Sequence, residues 1–147
     1  MSRERAKRLS PLLKLAAKAE QEALIYLGSL QQKLRTEEQR RADLINYQRE
    51  YQDNFKAQGA KGISGAQLIQ HQAFMSQIDG AMQKQAQHLS AIEQQILKAK
   101  SVYYKLHQRH ESYKKLETRL NDQALASENQ QLQKLLDEIG LQLHLRQ

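Results

Sequence analysis

The sequence predicts an all-α fold in which two long helices form an antiparallel coiled-coil hairpin and the C-terminal helix overhangs the first. Helix-forming Ala, Leu, Glu, Gln, Lys and Arg dominate the 147 residues, and there is a single proline. Apolar residues recur at spacings of three and four in two long stretches. Half of the six glycines lie between those stretches. These observations predict one coiled-coil domain over residues 1–147.

The first helix is predicted over about residues 11–57. Ser10 would cap it and Pro11 would occupy the first helical position, where the missing N–H costs no hydrogen bond. Nine of thirteen residues at seam spacing are apolar, which favours a coiled-coil seam over a solvated helix. The thirteen positions are Leu13, Ala16, Glu20, Ala23, Leu27, Leu30, Leu34, Glu37, Arg41, Leu44, Gln48, Tyr51 and Phe55.

The bend is predicted over about residues 58–65, which include Gly59, Gly62 and Gly65. Glycine supplies the positive φ angles that reverse a chain after a helix. A phosphate-binding loop is the alternative, but such loops follow a buried β-strand. The preceding residues, "INYQREYQDNF", contain no Val/Ile run. We therefore interpret the cluster as a bend between helices.

The second helix is predicted over about residues 66–139, with Ser64 as its cap and Gly140 as its stop. Eleven of fourteen seam positions are apolar. They are Ile78, Met82, Gln85, Leu89, Ile92, Ile96, Ala99, Tyr103, Leu106, His110, Tyr113, Glu117, Leu120 and Ala124. Reflection about residue 62 pairs position i with about 124 − i, so the second helix loses its partner beyond about residue 115.

Composition indicates a soluble, cytoplasmic protein without cofactors. The chain has no cysteine, so neither disulfides nor thiolate metal sites contribute. No run of 18 apolar residues and no signal-peptide pattern is present. The net charge of +7 is concentrated in residues 1–18 and 98–119, which the reflection brings together into one basic pole.

Candidate chemical sites are weak. His107, His110 and Glu111 could suggest zinc, but a catalytic zinc helix places its histidines four apart. We expect instead one seam histidine and one surface histidine, and no metal. No triad or nucleophile motif is recognisable, and two helices offer little volume to bury carboxylates. We therefore expect no catalytic residues, no enzyme activity and no small-molecule substrate.

The aromatic residues beside the bend are more informative. Leu44, Tyr47 and Tyr51 precede it, and Phe74, Ile78 and Ala81 follow it. The reflection sets Tyr51 against about Phe74 and Leu44 against Gly80. One interpretation is that these aromatics broaden the seam; the other, which we prefer, is an exposed patch for a protein partner, since Tyr favours interfaces.

The segments "LINYQREYQDNF" and "LIQHQAFMSQID" on either side of the glycine bend resemble the hairpin tip of the FliJ family of flagellar type III export proteins. The arm "LLKLAAKAEQEALIYLGSLQQKL" also fits the family pattern. The resemblance implies a stalk similar to the coiled coil of the rotary ATP synthase γ subunit. Its implied partners are the hexameric flagellar export ATPase, whose ring it enters and helps to assemble, the export gate membrane protein FlhA, and export chaperones. The implied location is cytoplasmic, peripheral to the inner membrane at the flagellar base.

The resemblance also implies two sites. The export-gate-binding patch would comprise Arg40, Leu44, Tyr47, Tyr51, Phe74, Ile78, Ala81 and Gln85, of which Arg40 and Gln85 differ in type from the family pattern. The basic pole facing the ATPase ring would comprise Lys105, Arg109, Lys114, Lys115 and Arg119. Two alternatives stay open: a nucleic-acid-binding coiled coil, although no contiguous base-reading run supports nucleic acid as a partner, and the equivalent stalk of a virulence secretion system.

Overall fold

The computed structural model describes residues 2–146. Two α-helices account for nearly all of them: α1 spans Ser2–Gly59 and α2 spans Gly65–Arg146. The two helices pack against each other, which confirms the predicted all-α helical hairpin. The chain divides into two compact units, each built from both helices. Unit 1 joins residues up to Leu24 with residues from Val102 onward, and unit 2 spans Ile25–Ser101.

Unit 2 contains the most deeply buried residue, Ile92, at 1% exposure. It packs in a cluster with Leu27, Leu30, Ile96 and Ala99, and the half-buried Leu34 packs against that cluster. Leu27, Leu30 and Leu34 come from α1, and Ile92, Ile96 and Ala99 come from α2, so the apolar stripes of the two helices interdigitate.

Unit 1 has its own smaller core. Ala6 and Leu9 of α1 are buried against Leu120 of α2, with Tyr113 and Leu116 packed around them. Near the start of α1, the guanidinium of Arg3 lies 2.6 Å from the carboxylate of Glu128. From residue 125 to residue 146 every side chain of α2 is exposed.

The turn between the helices uses its glycines unequally. Gly62 adopts a φ of 95°, which an L side chain rarely accepts. Gly59 and Gly65 are instead the last residue of α1 and the first of α2. Ser64 caps α2 as predicted: Gln67 N–H donates to Ser64 Oγ at 3.1 Å, and Ser64 N–H donates to Gln67 Oε1 at 2.9 Å. This reciprocal pair is a capping box.

Both helices run past their predicted outer ends. Helix α1 begins at Ser2 rather than near residue 11, and Pro11 lies inside it. Proline removes one backbone donor from the helix interior, but burial of Ala6 and Leu9 supports the extra turns. Gly140 does not stop α2, which continues to Arg146, because a glycine costs a helix only about 1 kcal/mol. The longer α1 therefore accompanies α2 to Glu128 rather than to about residue 115.

The predicted seam matches the observed burial. All of its positions on both helices are buried or half-buried except Arg41, which is exposed. Neither helix, over the residues described, has a stretch long and apolar enough to cross a bilayer.

Candidate functional site

Aromatic side chains form a continuous stack between the helices beside the turn. The Phe55 ring lies flat on the His71 ring, with centroids 3.5 Å apart, and Tyr51 stacks on His71 at 5.4 Å. Phe74 contacts Tyr51 at 4.2 Å and Tyr47 edge-on at 6.0 Å. Rings from α1 and rings from α2 therefore alternate along the stack. The predicted pairing of Tyr51 with Phe74 is confirmed.

His71 is the member of this stack that sequence reasoning missed. It is half-buried, and its Nδ1 atom has no hydrogen-bond partner within the described part of the chain. Seam spacing could have identified this residue, because His71 lies seven residues before Ile78 and therefore continues the seam of α2 toward the turn.

Exposure separates the members of the predicted gate-binding patch. Tyr47 is 51% exposed, so its ring is open to a partner. Leu44, Tyr51 and Phe74 are half-buried, and Ala81 is exposed. Ile78 is 5% exposed and belongs to the core beneath this surface. A partner could touch the Tyr47 ring directly, whereas Ile78 can only support it from below.

The remaining patch residues, Arg40 and Gln85, bind a buried carboxylate. Glu37 is 6% exposed. Gln85 Nε2 donates to the backbone oxygen of Glu37 at 2.8 Å and to Glu37 Oε2 at 3.0 Å. Arg40 Nη1 donates to Glu37 Oε1 at 2.7 Å. The Gln85 hydrogen bond, with the charges of Arg40 and His88, lowers the pKa of Glu37 against the opposing effect of desolvation. Gln85 therefore joins the two helices at a polar layer.

A second polar layer lies in unit 1. Both histidines considered for zinc face Glu20 of α1: His107 Nδ1 is 2.6 Å from Oε1, and His110 Nδ1 is 2.5 Å from Oε2. The His107 hydrogen bond is the main cause of a lowered pKa at Glu20, and the His110 bond adds to it against desolvation. Glu111 instead pairs with Lys114 at 3.4 Å. Within residues 2–146, no group of three ligands is arranged to hold a metal ion.

The predicted basic pole is an open surface of α2 in unit 1. Lys105, Arg109, Lys114, Lys115 and Arg119 are all exposed. The last three line a shallow depression together with Glu111, Thr118 and Asp122. Positive charge is therefore interleaved with carboxylates there.

An apolar groove beside this basic surface was not predicted. Leu12 and Leu15 of α1, which are 49% and 64% exposed, face Leu106 and Tyr113 of α2 across it, with Arg109 at its edge. Toward the start of α1 a neighbouring groove is lined by Leu9, Leu12, Leu116 and Leu120, with Arg5 and Arg8 beside them. The sequence signal was the apolar Leu12 and Leu15, which lie outside the seam spacing.

The amino-acid sequence is similar to known flagellar proteins. The family model described as "Flagellar FliJ protein" matches residues 5–147. Relatives with that name from Escherichia coli (strain K12) and Salmonella typhi are each 28% identical over 138 residues, covering 94% of this chain and 94% of theirs. No solved structure matches the chain.

Proposed function

The chain belongs to the FliJ family of flagellar proteins, and from that premise we propose that it is a stalk of the flagellar type III protein export apparatus. In this proposal it inserts into the ring of the hexameric export ATPase, promotes assembly of the ring, and links it to the export gate protein FlhA and to export chaperones. It works by binding rather than by catalysis, at the cytoplasmic side of the inner membrane.

The observation that carries the proposal is that each unit has a surface with its own chemistry. Unit 2 holds the stack of aromatic rings beside the turn, ending in the half-exposed Tyr47. Unit 1 holds the exposed basic residues of α2 and the arginine-edged apolar groove. Two surfaces of different chemistry suit a protein that binds two different partners.

The aromatic stack supports the gate contact. A tyrosine ring held edge-on against Phe74 loses little freedom on binding, and its hydroxyl can still reach a polar partner. Phe74 is itself supported by Tyr51, which His71 stacks against in turn. We assign direct contact with the gate to Tyr47 and the exposed edges of its neighbours, and a supporting role to Ile78.

The surface of unit 1 supports the contact with the ATPase ring. Lys105, Arg109 and Lys115 are free to meet acidic side chains, whose attraction would steer insertion. The Leu12–Leu15 groove beside Arg109 would then accept apolar side chains of the ring. This arrangement follows the usual pattern of an apolar contact surface with a charged rim.

The test is stimulation of the purified export ATPase. The wild-type chain should increase hydrolysis and the number of rings seen by negative-stain microscopy. Reversing Lys105, Arg109 and Lys115 to Glu should remove most of that stimulation at low salt, because favourable charge becomes repulsive. A variant with the same reversals at Lys56, Lys61 and Lys84, exposed residues of unit 2, is the matched control and should stimulate normally.

The same samples test the proposal against nucleic-acid binding. A nucleic-acid-binding protein would bind duplex DNA with an affinity that falls steeply as salt rises. Tight, salt-dependent DNA binding without any stimulation of the ATPase would overturn the stalk proposal.

A further inference from the structure

The two apolar grooves of unit 1 are parts of one channel between α1 and α2. Leu12 lines both of them, and Tyr113 of the first lies one helical turn from Leu116 of the second. From Arg5 to Ala19 the channel follows about 21 Å of α1, at about 1.5 Å per residue. We call this channel the unit 1 groove.

The unit 1 groove has a covered floor and an open wall. Leu9 and Leu120 are buried at its floor, whereas Leu12 and Leu15 are exposed on the side that α1 supplies. Its apolar surface is therefore concave, and it suits an element that lies along it between the two helices.

The element that such a groove accepts is a helix. The backbone N–H and C=O groups on either side of the groove are already bonded within α1 and α2, so they cannot pair with an extended segment. A helix satisfies its own backbone hydrogen bonds, and it presents apolar side chains at spacings of three and four to a groove. About 14 residues of helix would fill the length.

Arginines determine the charge that the helix should carry. Arg5 and Arg8 of α1 line one end of the groove, and Arg109 of α2 lines the other. All three are exposed, and among residues 2–146 none of them forms an ion pair. No carboxylate of that part of the chain lines the groove. Three cations without partners beside an apolar channel favour an apolar face flanked by Asp and Glu.

We propose that the unit 1 groove binds an acidic amphipathic helix of the export ATPase ring. The ring as the source of the helix rests on the proposed stalk function, whereas the chemistry of the helix rests on the groove alone. Arg109 lies between His107 and His110 in sequence. Both histidines contact Glu20, so Arg109 lies level with Glu20, about 18 Å along α1 from Arg8. The helix should therefore carry carboxylates on opposite flanks of its apolar stripe, about 12 residues apart.

Nucleic acid and lipid fit the groove less well. A phosphate backbone would pair with the arginines but would leave Leu12 and Leu15 without apolar contacts. A lipid surface takes up apolar side chains that protrude, whereas Leu9 and Leu120 are buried at the floor. An acidic helix uses both the arginines and the apolar floor.

The test is fluorescence anisotropy of a labelled synthetic peptide titrated with the full chain at low salt. The glutamate peptide is a helix of about 16 residues with leucines at spacings of four, three and four, glutamates on both flanks and alanines elsewhere. The lysine peptide has lysines in place of the glutamates. The glutamate peptide should bind at least about tenfold more tightly, because three arginine contacts change from repulsive to attractive.

Variants of the chain locate the binding. Leu12→Gln should weaken binding of the glutamate peptide by about tenfold or more, because Leu12 becomes buried in the complex. Leu24→Gln is the matched control: Leu24 is also 49% exposed and belongs to α1, but it does not line the groove, so this variant should bind normally. Arg8→Glu combined with Arg109→Glu should reverse the preference, so that the lysine peptide binds more tightly.

Several results would overturn the proposal. They are no binding of the glutamate peptide, equal affinity for the two peptides, and equal weakening by Leu12→Gln and Leu24→Gln. Binding to phosphatidylglycerol vesicles or to duplex DNA that Leu12→Gln abolishes would assign the groove to lipid or to nucleic acid instead.

A competition assay separates this inference from the stalk function. Excess glutamate peptide should reduce the stimulation of the export ATPase by the wild-type chain, whereas the lysine peptide should not. Undiminished stimulation at saturating glutamate peptide would overturn the ring as the source of the helix and leave the stalk function standing. A wild-type chain that binds the glutamate peptide but does not stimulate the ATPase would overturn the stalk function, and with it the ring as the source.

Discussion

Replacing Tyr47 and Tyr51 separately by alanine should distinguish partner contact from internal packing within the aromatic stack. Tyr51 is half-buried and contacts two rings, His71 at 5.4 Å and Phe74 at 4.2 Å. Tyr47 is 51% exposed and contacts Phe74 edge-on at 6.0 Å. The two tyrosines are one helical turn apart, so the comparison removes the same side chain from two positions that differ in burial and in the number of ring contacts.

The expected magnitudes follow from these contacts. Truncating a fully buried aromatic side chain costs about 3–5 kcal/mol, and each good ring pair adds about 0.5–1.5 kcal/mol. Tyr51→Ala should therefore lower the free energy of unfolding by about 2–3 kcal/mol, and Tyr47→Ala by about 1 kcal/mol or less. In the gate complex, loss of an exposed tyrosine anchor should cost about 2 kcal/mol, which is about a thirtyfold loss of affinity.

Urea unfolding followed by circular dichroism measures the free energy of unfolding. Calorimetric titration with the purified cytoplasmic domain of FlhA measures the affinity for the gate. Tyr26→Ala is the control: it removes a tyrosine with an exposure similar to that of Tyr47, 55%, and should change neither the free energy of unfolding nor the affinity for the gate. Equal destabilisation by Tyr47→Ala and Tyr51→Ala would show that both rings are packing residues. Unchanged gate affinity in a stably folded Tyr47→Ala variant would refute the assigned contact.

Three further predictions concern the fold. Ile92→Ala should reduce the free energy of unfolding by about 2–5 kcal/mol in urea titrations, while Leu97→Ala, at a 60% exposed position, should cost much less. Ser64→Ala should cost about 1 kcal/mol by removing the cap of α2, measured as a fall in thermal midpoint. Because the folded pKa of Glu20 lies below its ordinary 4.5, its stabilisation is complete above that pH and disappears as pH falls through the folded pKa; Glu20→Gln should flatten that loss in pH-dependent unfolding.

Periodicity predicted the core of this fold because a two-helix seam is almost a one-dimensional problem. The buried Leu27, Leu30, Ile92 and Ile96 are all members of the seams read from spacing alone. The helix ends were harder to predict, since they depend on tertiary contacts. Pro11 indicates a helix start in isolation, but packing of Leu9 on Leu120 outweighs that local preference.

The sites were predictable as residue types but less so as exposed surfaces. Spacing placed Tyr51 beside Phe74, as observed, yet it could not tell which face of each ring would meet solvent. Ile78 lies under the surface because it occupies a seam position. The groove of Leu12 and Leu15 was not predicted, because these residues lie beside the seam. They form a groove only together with Leu106 and Tyr113 of α2.

The polar seam positions explain why the aromatic rings meet in one register. An apolar heptad pattern alone allows the helices to slip by seven residues while keeping Leu against Leu. Such a slip would take Gln85 away from Glu37 and both histidines away from Glu20, and would bury carboxylates against apolar side chains, which is strongly unfavourable. Glu20 and Glu37 therefore select the pairing within their own units, and in unit 2 the register selected by Glu37 is the one that sets Tyr51 and Tyr47 against Phe74.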